Sequence, residues 1–138
     1  MARALVLALL LYAVAVAGCG GTADSAQDFE GAEQEVAQAI EDLEEAGQED
    51  EPRRICQALL SRELVERIEA PEAGDCEKAI DKALDETDTF SLTVEEVRVT
   101  GTTARARVET GVDEEKIETI ELVLENKAWR IAGLPGSA

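Results

Sequence analysis

Which chemistry this chain can carry is decided by three side-chain types: it has 3 cysteines, 31 carboxylates and no histidine. The missing imidazole removes the commonest general base near neutral pH and the commonest zinc ligand. A lone carboxylate can abstract a proton, but the oxyanion then needs a second donor aimed at it. The only tyrosine, Tyr12, lies inside an apolar N-terminal run, so Phe29, Phe90 and Trp129 are the aromatics downstream. Acidic groups such as Glu49-Asp50-Glu51, Asp85-Glu86-Asp88 and Asp113-Glu114-Glu115 lack the alternating spacing and glycine of a calcium loop. At a net charge of -18 they read as solvated runs, and no metal ion or cofactor is expected.

The cysteines are more informative. Cys19 ends the run Val16-Ala17-Gly18-Cys19, directly behind the uncharged apolar stretch Ala4 to Ala17, itself preceded by Arg3. That stretch is short of the roughly 20 residues a membrane-spanning helix needs, and its length, charged start and small C-terminal residues are those of a signal peptide. Val16-Ala17-Gly18-Cys19 resembles the bacterial lipobox. The resemblance implies that the Cys19 sulfur is joined to diacylglycerol, that the chain is cut after Gly18, and that Cys19 becomes the new N-terminus. The other readings are an ordinary secretory signal with an incidental cysteine, or an uncleaved anchor. Loss of residues 1–18 removes Arg3 and no carboxylate, which leaves the remainder at -19. So acidic a domain is repelled by an anionic bilayer, so the acyl chains must do the anchoring. Expected partners thus begin with the membrane, through Cys19 on the extracytoplasmic side. Nucleic acid is not expected, since its binding rests on neutralising phosphates.

Cys56 and Cys76 remain. Each falls on the apolar face of its own predicted helix, and an exported compartment permits the single disulfide that two cysteines allow. Two buried thiols or a redox pair are the alternatives, although the spacing is not C-x-x-C.

The elements around these residues follow from periodicity. Residues 19–28 read as a small, polar, Gly-containing tether, and 29–138 as one domain. Phe29, Ala32, Val36, Ile40 and Leu43 form one helical stripe, with Asp28 as cap, a helix from about Asp28 to Ala46, and Gly47 as stop. Pro52 opens a second helix that presents Ile55, Cys56, Leu59 and Leu60. Ser61 caps a short helix bearing Leu64, Val65 and Ile68. Residues 70–74 break the pattern, and a further helix starts near Asp75 with Cys76, Ala79, Ile80, Ala83 and Leu84 on one face. The period then falls from 3.6 to 2. Leu92 and Val94 are out of phase with Val97 and Val99, which predicts a bulge at Glu95-Glu96. Ala104, Ala106 and Val108 face inward on a second strand, Ile120, Leu122 and Leu124 on a third, and Trp129 and Ile131 on a fourth. Thr100-Gly101-Thr102 and Glu125-Asn126-Lys127 are turns, 111–115 is a polar loop, and 134–138 is a tail.

Helices followed by a four-stranded antiparallel meander define an α+β order. Ser61-Arg62-Glu63-Leu64 after an apolar helix, the cysteine pair across two helices, the hairpin from Val97-Arg98-Val99-Thr100-Gly101 to Ala104-Arg105-Ala106, and Lys127-Ala128-Trp129-Arg130-Ile131 at the close are similar to bacterial lipoproteins of the NTF2-like (SnoaL-like) superfamily. The resemblance covers about residues 29–133. It implies a curved antiparallel sheet wrapped round N-terminal helices to form a cone, in which the superfamily's enzymes place a carboxylate with tyrosine, histidine or a second acid. Here the inward strand positions are aliphatic or tryptophan. Ala104 and Ala106 are small: either the first helix packs closely on them, or Ala104, Ala106, Leu122 and Trp129 line a cone for a small apolar ligand. Arg98, Arg105, Arg107 and Arg130 are expected on the outer face, either paired across strands with Glu109, Glu118 and Glu121, or as a docking face for an acidic partner or wall polymer. The expected function is that of a lipid-anchored, non-catalytic domain in the cell envelope that binds a small apolar ligand or an envelope protein. The alternative is a small-molecule isomerase or dehydratase using a lone buried carboxylate.

Overall fold

A computed structural model describes residues 25–70, 74–111 and 116–134. The expected signal peptide 1–18, Cys19, most of the tether, the middle of the break at 70–74, most of the 111–115 loop and the end of the tail lie outside these residues.

The first described element departs from expectation. Ser25–Asp28 forms a 3-10 turn, and Ser25 and Ala26 are buried, although the small polar composition predicts a free tether there. Helix α1, Gly31–Gln48, therefore starts three residues later than its apolar stripe suggests, with Glu30 rather than Asp28 at the N-cap position. Val36, Ala37, Ile40, Leu43 and Ala46 are buried, which is the 3.6-period stripe facing the core. Gly47 does not end the helix. It lies inside the last turn, where a Cβ would collide with the Phe90 ring. The reversal is made at Asp50, at φ 56°. The Glu51 N–H donates to Ala46 O at 2.9 Å and the Asp50 N–H to Gly47 O at 3.3 Å, a Schellman closure. Glycine is the expected stop because it takes the left-handed position most cheaply, but packing against Phe90 claims Gly47 for the last turn instead.

Helix α2, Pro52–Arg54, opens on Pro52 as expected and continues as a π turn, Ile55–Leu59. The wider turn ends the helix one residue early. Leu60 is extended instead of helical and forms a parallel bridge with Ile131, while the Ser61 N–H donates to Ile131 O at 2.7 Å. Helix α3, Arg62–Ile68, is capped by Ser61, whose Oγ accepts the Leu64 N–H at 3.1 Å. Helix α4, Cys76–Asp85, is capped by Asp75, which accepts the Lys78 N–H at 2.9 Å. Cys56 of the π turn and Cys76 at the start of α4 are disulfide-bonded, with Cα atoms 6.1 Å apart.

The four strands are β1 Leu92–Thr100, β2 Thr103–Thr110, β3 Lys116–Glu125 and β4 Ala128–Gly133, in the antiparallel order β1-β2-β3-β4. The register shifts between Val94 and Glu96, so the bulge lies where the phase change puts it. Asn126 and Lys127 both take positive φ in the two-residue turn to β4. Helix α1 packs across β1, β2 and β4. The result is an α+β domain with four helices and one antiparallel sheet, whose core lies between α1 and a single sheet face.

Candidate functional site

Alternation along the strands sorts their side chains onto two faces. The core face is built by Leu92, Val94 and Val97 of β1, Ala104, Ala106 and Val108 of β2, Ile120 and Leu122 of β3, and Trp129 and Ile131 of β4, all buried. The four residues expected to line a ligand cone therefore do meet on one face. Ala104 stands opposite Leu122, and Leu122 opposite Ile131. They join one apolar cluster with Val36, Ala37 and Ile40 of α1, and Ala106 is fully buried in it. Small side chains at 104 and 106 thus sit where the helix lies over β2. Among the described residues, the buried polar side chains are Ser25 and Ser61.

One carboxylate shares the inward side of the sheet. Glu118 pairs with Val108, so it belongs to the row that Ile120 and Leu122 continue. Its side chain keeps 17% of its exposure, meets the Lys116 ammonium, and accepts the Thr110 hydroxyl at 3.4 Å. Glu118 was expected outside, facing the arginines. Counting back by twos from Ile120 places it inward, and strand parity prevails over its charge.

The opposite face carries Thr93, Arg98, Arg105, Arg107, Thr119, Glu121 and Val123. The arginines pair less symmetrically than expected. Arg105 meets Glu121 directly across the β2–β3 pair at 3.1 Å. Arg98 and Arg107 both turn to the bulge residue Glu96, at 2.7 and 3.4 Å. The bulge causes this: the extra residue swings Glu96 into line with Arg107. The Arg98 hydrogen bond and charge, reinforced by Arg107, hold the Glu96 carboxyl below the ordinary glutamate range. Glu118 goes to Lys116 instead, and no ion pair joins Arg130 or Glu109 to a described residue. The arginine pairs on the outer face are exposed to solvent, so each adds little to stability.

Helix α3 turns this face into a groove. Leu60 and Ser61 zip the start of α3 onto the β4 edge, and Arg67 donates to Ala132 O at 2.6 Å at its other end. The space between α3 and the outer face holds about 710 Å³ and is bordered by Glu63 and Arg67 of the helix and by Arg98, Arg105, Glu121 and Val123 of the strands. Glu125 closes one end and accepts the Arg62 N–H at 3.2 Å. Three guanidinium groups and three carboxylates surround a floor of Thr100, Thr103, Val123 and Ala132. In a chain with so large an acidic excess, this balance sets the groove apart. Sequence reasoning placed the strand arginines here but missed Glu63 and Arg67, because no periodicity reports which sheet edge a short helix closes.

A second partly buried carboxylate is Glu44 of α1. Burial raises its pKa, while the Leu92 N–H, the Gln48 amide and the opposing sign of their effects limit the rise; the Glu41 charge adds to it. It sits at the β1 edge, outside the inward rows of the sheet. Among the described residues no group of three or more His, Cys, Asp or Glu side chains is arranged to hold a metal ion, and no helix is long and apolar enough to cross a membrane. The chain matches no family model and no curated protein in sequence.

Proposed function

We propose that this chain is a bacterial lipoprotein with an NTF2-like domain: a signal peptide over 1–18, a lipid on Cys19, and a folded domain held on the extracytoplasmic side of the membrane. The domain acts by binding and not by catalysis. Its ligand is an envelope protein that lies in the groove between α3 and the outer sheet face. The observation that carries this reading is the contrast between the two faces. The side chains of Ala104, Ala106, Leu122 and Trp129 are buried in the core, and Ala104 and Leu122 also border the groove from below, whereas the outer face above them offers a concave, mixed-charge surface. Interfaces of this kind draw orientation from charge and affinity from the desolvated floor.

The test is crosslinking in the native membrane, followed by mass spectrometry. The acylated protein should give reproducible crosslinks to one partner, and reversing the groove charges together (Arg98→Glu with Arg105→Glu) should abolish them while leaving the fold intact. Crosslinks that survive the double reversal would sink the groove. A small apolar molecule retained through purification would restore the carrier reading. Glu118 keeps the enzymatic alternative specific: turnover of a carbonyl or unsaturated substrate, lost in Glu118→Gln, would establish an isomerase or dehydratase.

A further inference from the structure

The N-terminal turn is tied down by more than apolar contact. Glu41, at the end of the third turn of α1, accepts the Ala26 N–H at 2.7 Å and the Ser25 hydroxyl at 3.3 Å through the same carboxylate oxygen. The Ser25 Oγ in turn accepts the Val94 N–H at 3.4 Å, an edge donor of β1. The Ala26 carbonyl closes the turn by accepting the Phe29 N–H at 3.2 Å, and Phe29 packs against the core. One carboxylate thus joins three backbone segments: the turn, the helix and the sheet edge. Ser25 and Ala26 are 7% and 2% exposed, so these hydrogen bonds are shielded from water, where their net worth is larger. The small side chains at 25 and 26 are what allow the backbone to lie this close.

We infer that Ser25–Asp28 is a strap latched by Glu41, which limits the working lipid tether to residues 20–24. The latch follows from the geometry alone; its consequence rests on the reading of Cys19 as the lipid-bearing residue. Six Cα-to-Cα steps join Cys19 to Ser25, a reach of at most about 20 Å. With the strap released, the free chain would extend to the start of α1 at Gly31 and reach about twice as far. The strap also decides where the tether leaves the domain. It crosses β1 at Val94, whereas the groove borders the Thr100 to Thr103 hairpin at the other end of that strand, about 20 Å away. A latched strap therefore attaches the domain to the bilayer by the sheet end remote from that hairpin and holds the groove's hairpin end away from the attachment point. The Val94 N–H is also withdrawn from the exposed strand edge.

Hydrogen exchange on the acylated protein in phosphatidylcholine–phosphatidylglycerol vesicles tests the latch. The Ala26 and Val94 amides should be protected. Glu41→Ala should speed exchange at both by about tenfold or more, with Ile120 unchanged. Ser25→Ala should free Val94 while Ala26 keeps its bond to Glu41, a split that a loss of overall stability would not give. If Glu41→Ala also accelerates Ile120, the Ser25→Ala pattern decides. A dye on Thr102→Cys, quenched by headgroup-labelled lipid, reads the tether: weaker quenching for the latched protein, and stronger quenching, from a distribution that includes shorter distances, for Glu41→Ala. Unprotected Ala26 in the unaltered protein, or no response to either variant, overturns the strap. A chain that carries no acyl mass on Cys19 overturns the lipoprotein reading and the tether consequence, while protected Ala26 and Val94 amides would still support the latch.

Discussion

Ser61 carries more structure than its size suggests. Its hydroxyl caps α3, its N–H meets Ile131 O, and it has no exposed surface. Ser61→Ala leaves the Leu64 N–H without its partner in a buried place, and should lower stability by about 1–2 kcal/mol in urea unfolding. A change confined to a few tenths would mean that the cap is dispensable. Glu44 contributes with the opposite sign to a paired carboxylate. Burial raises its folded pKa, so the native state holds its proton more tightly than the unfolded chain does. Its contribution to stability is full below the unfolded value, about 4.3, and is lost as pH rises through the raised folded value. Glu44→Gln should therefore gain on the unaltered protein as pH rises from acid to neutral, seen as a growing difference in urea midpoints. A difference that stays constant with pH would show that the burial of this carboxyl is inconsequential.

At the scale of elements, two joints fix the helices in place. The first is the contact between Gly47 and Phe90 at the end of α1. A methyl group at 47 meets the ring itself, so Gly47→Ala should cost about 1–3 kcal/mol by overpacking, despite its better helix propensity. A stabilised variant in thermal unfolding would show that the ring moves aside freely. The second is the disulfide between the π turn and α4, which closes a loop with a sequence separation of 20. On the chain-entropy account, its removal costs roughly 3 kcal/mol. The paired variant Cys56→Ser with Cys76→Ser should lose about that much, and non-reducing peptide mapping of the unaltered protein should recover both cysteines in one linked fragment. The first strands of disorder on reduction should appear in α3 and α4, because the π turn leads directly into the Leu60–Ser61 zipper that seats α3 beside the groove.

For the whole molecule, the proposed lipoprotein reading has to explain how so acidic a domain would be kept at a membrane that repels it. The proposed answer is covalent, and Cys19→Ser should move the protein out of the membrane fraction and leave its precursor uncleaved. Intact-mass measurement checks both; a variant that still fractionates with membranes would point to an uncleaved anchor.

Much of the architecture could be read from the chain, because it depends on local periodicity. The stripe from Val36 to Leu43, the cap at Ser61, the helix start near Asp75, the phase slip at Glu95-Glu96 and the alternation from Ala104 to Ile131 are each local to one element, and burial of one side is enough to define it. Choices between competing partners could not be read this way. Gly47 was equally suited to end a helix or to admit Phe90, and only the position of Phe90 settled it. Ser25 and Ala26 have the composition of a tether, yet Glu41 and Val94 converge on them from elements distant in sequence. Glu63 and Arg67 join Arg98 and Arg105 only because Leu60 leaves its helix for the edge of β4. Periodicity determines which face of an element is buried; which elements meet, and which side chains they bring within bonding distance, is decided by long-range packing that no local pattern contains.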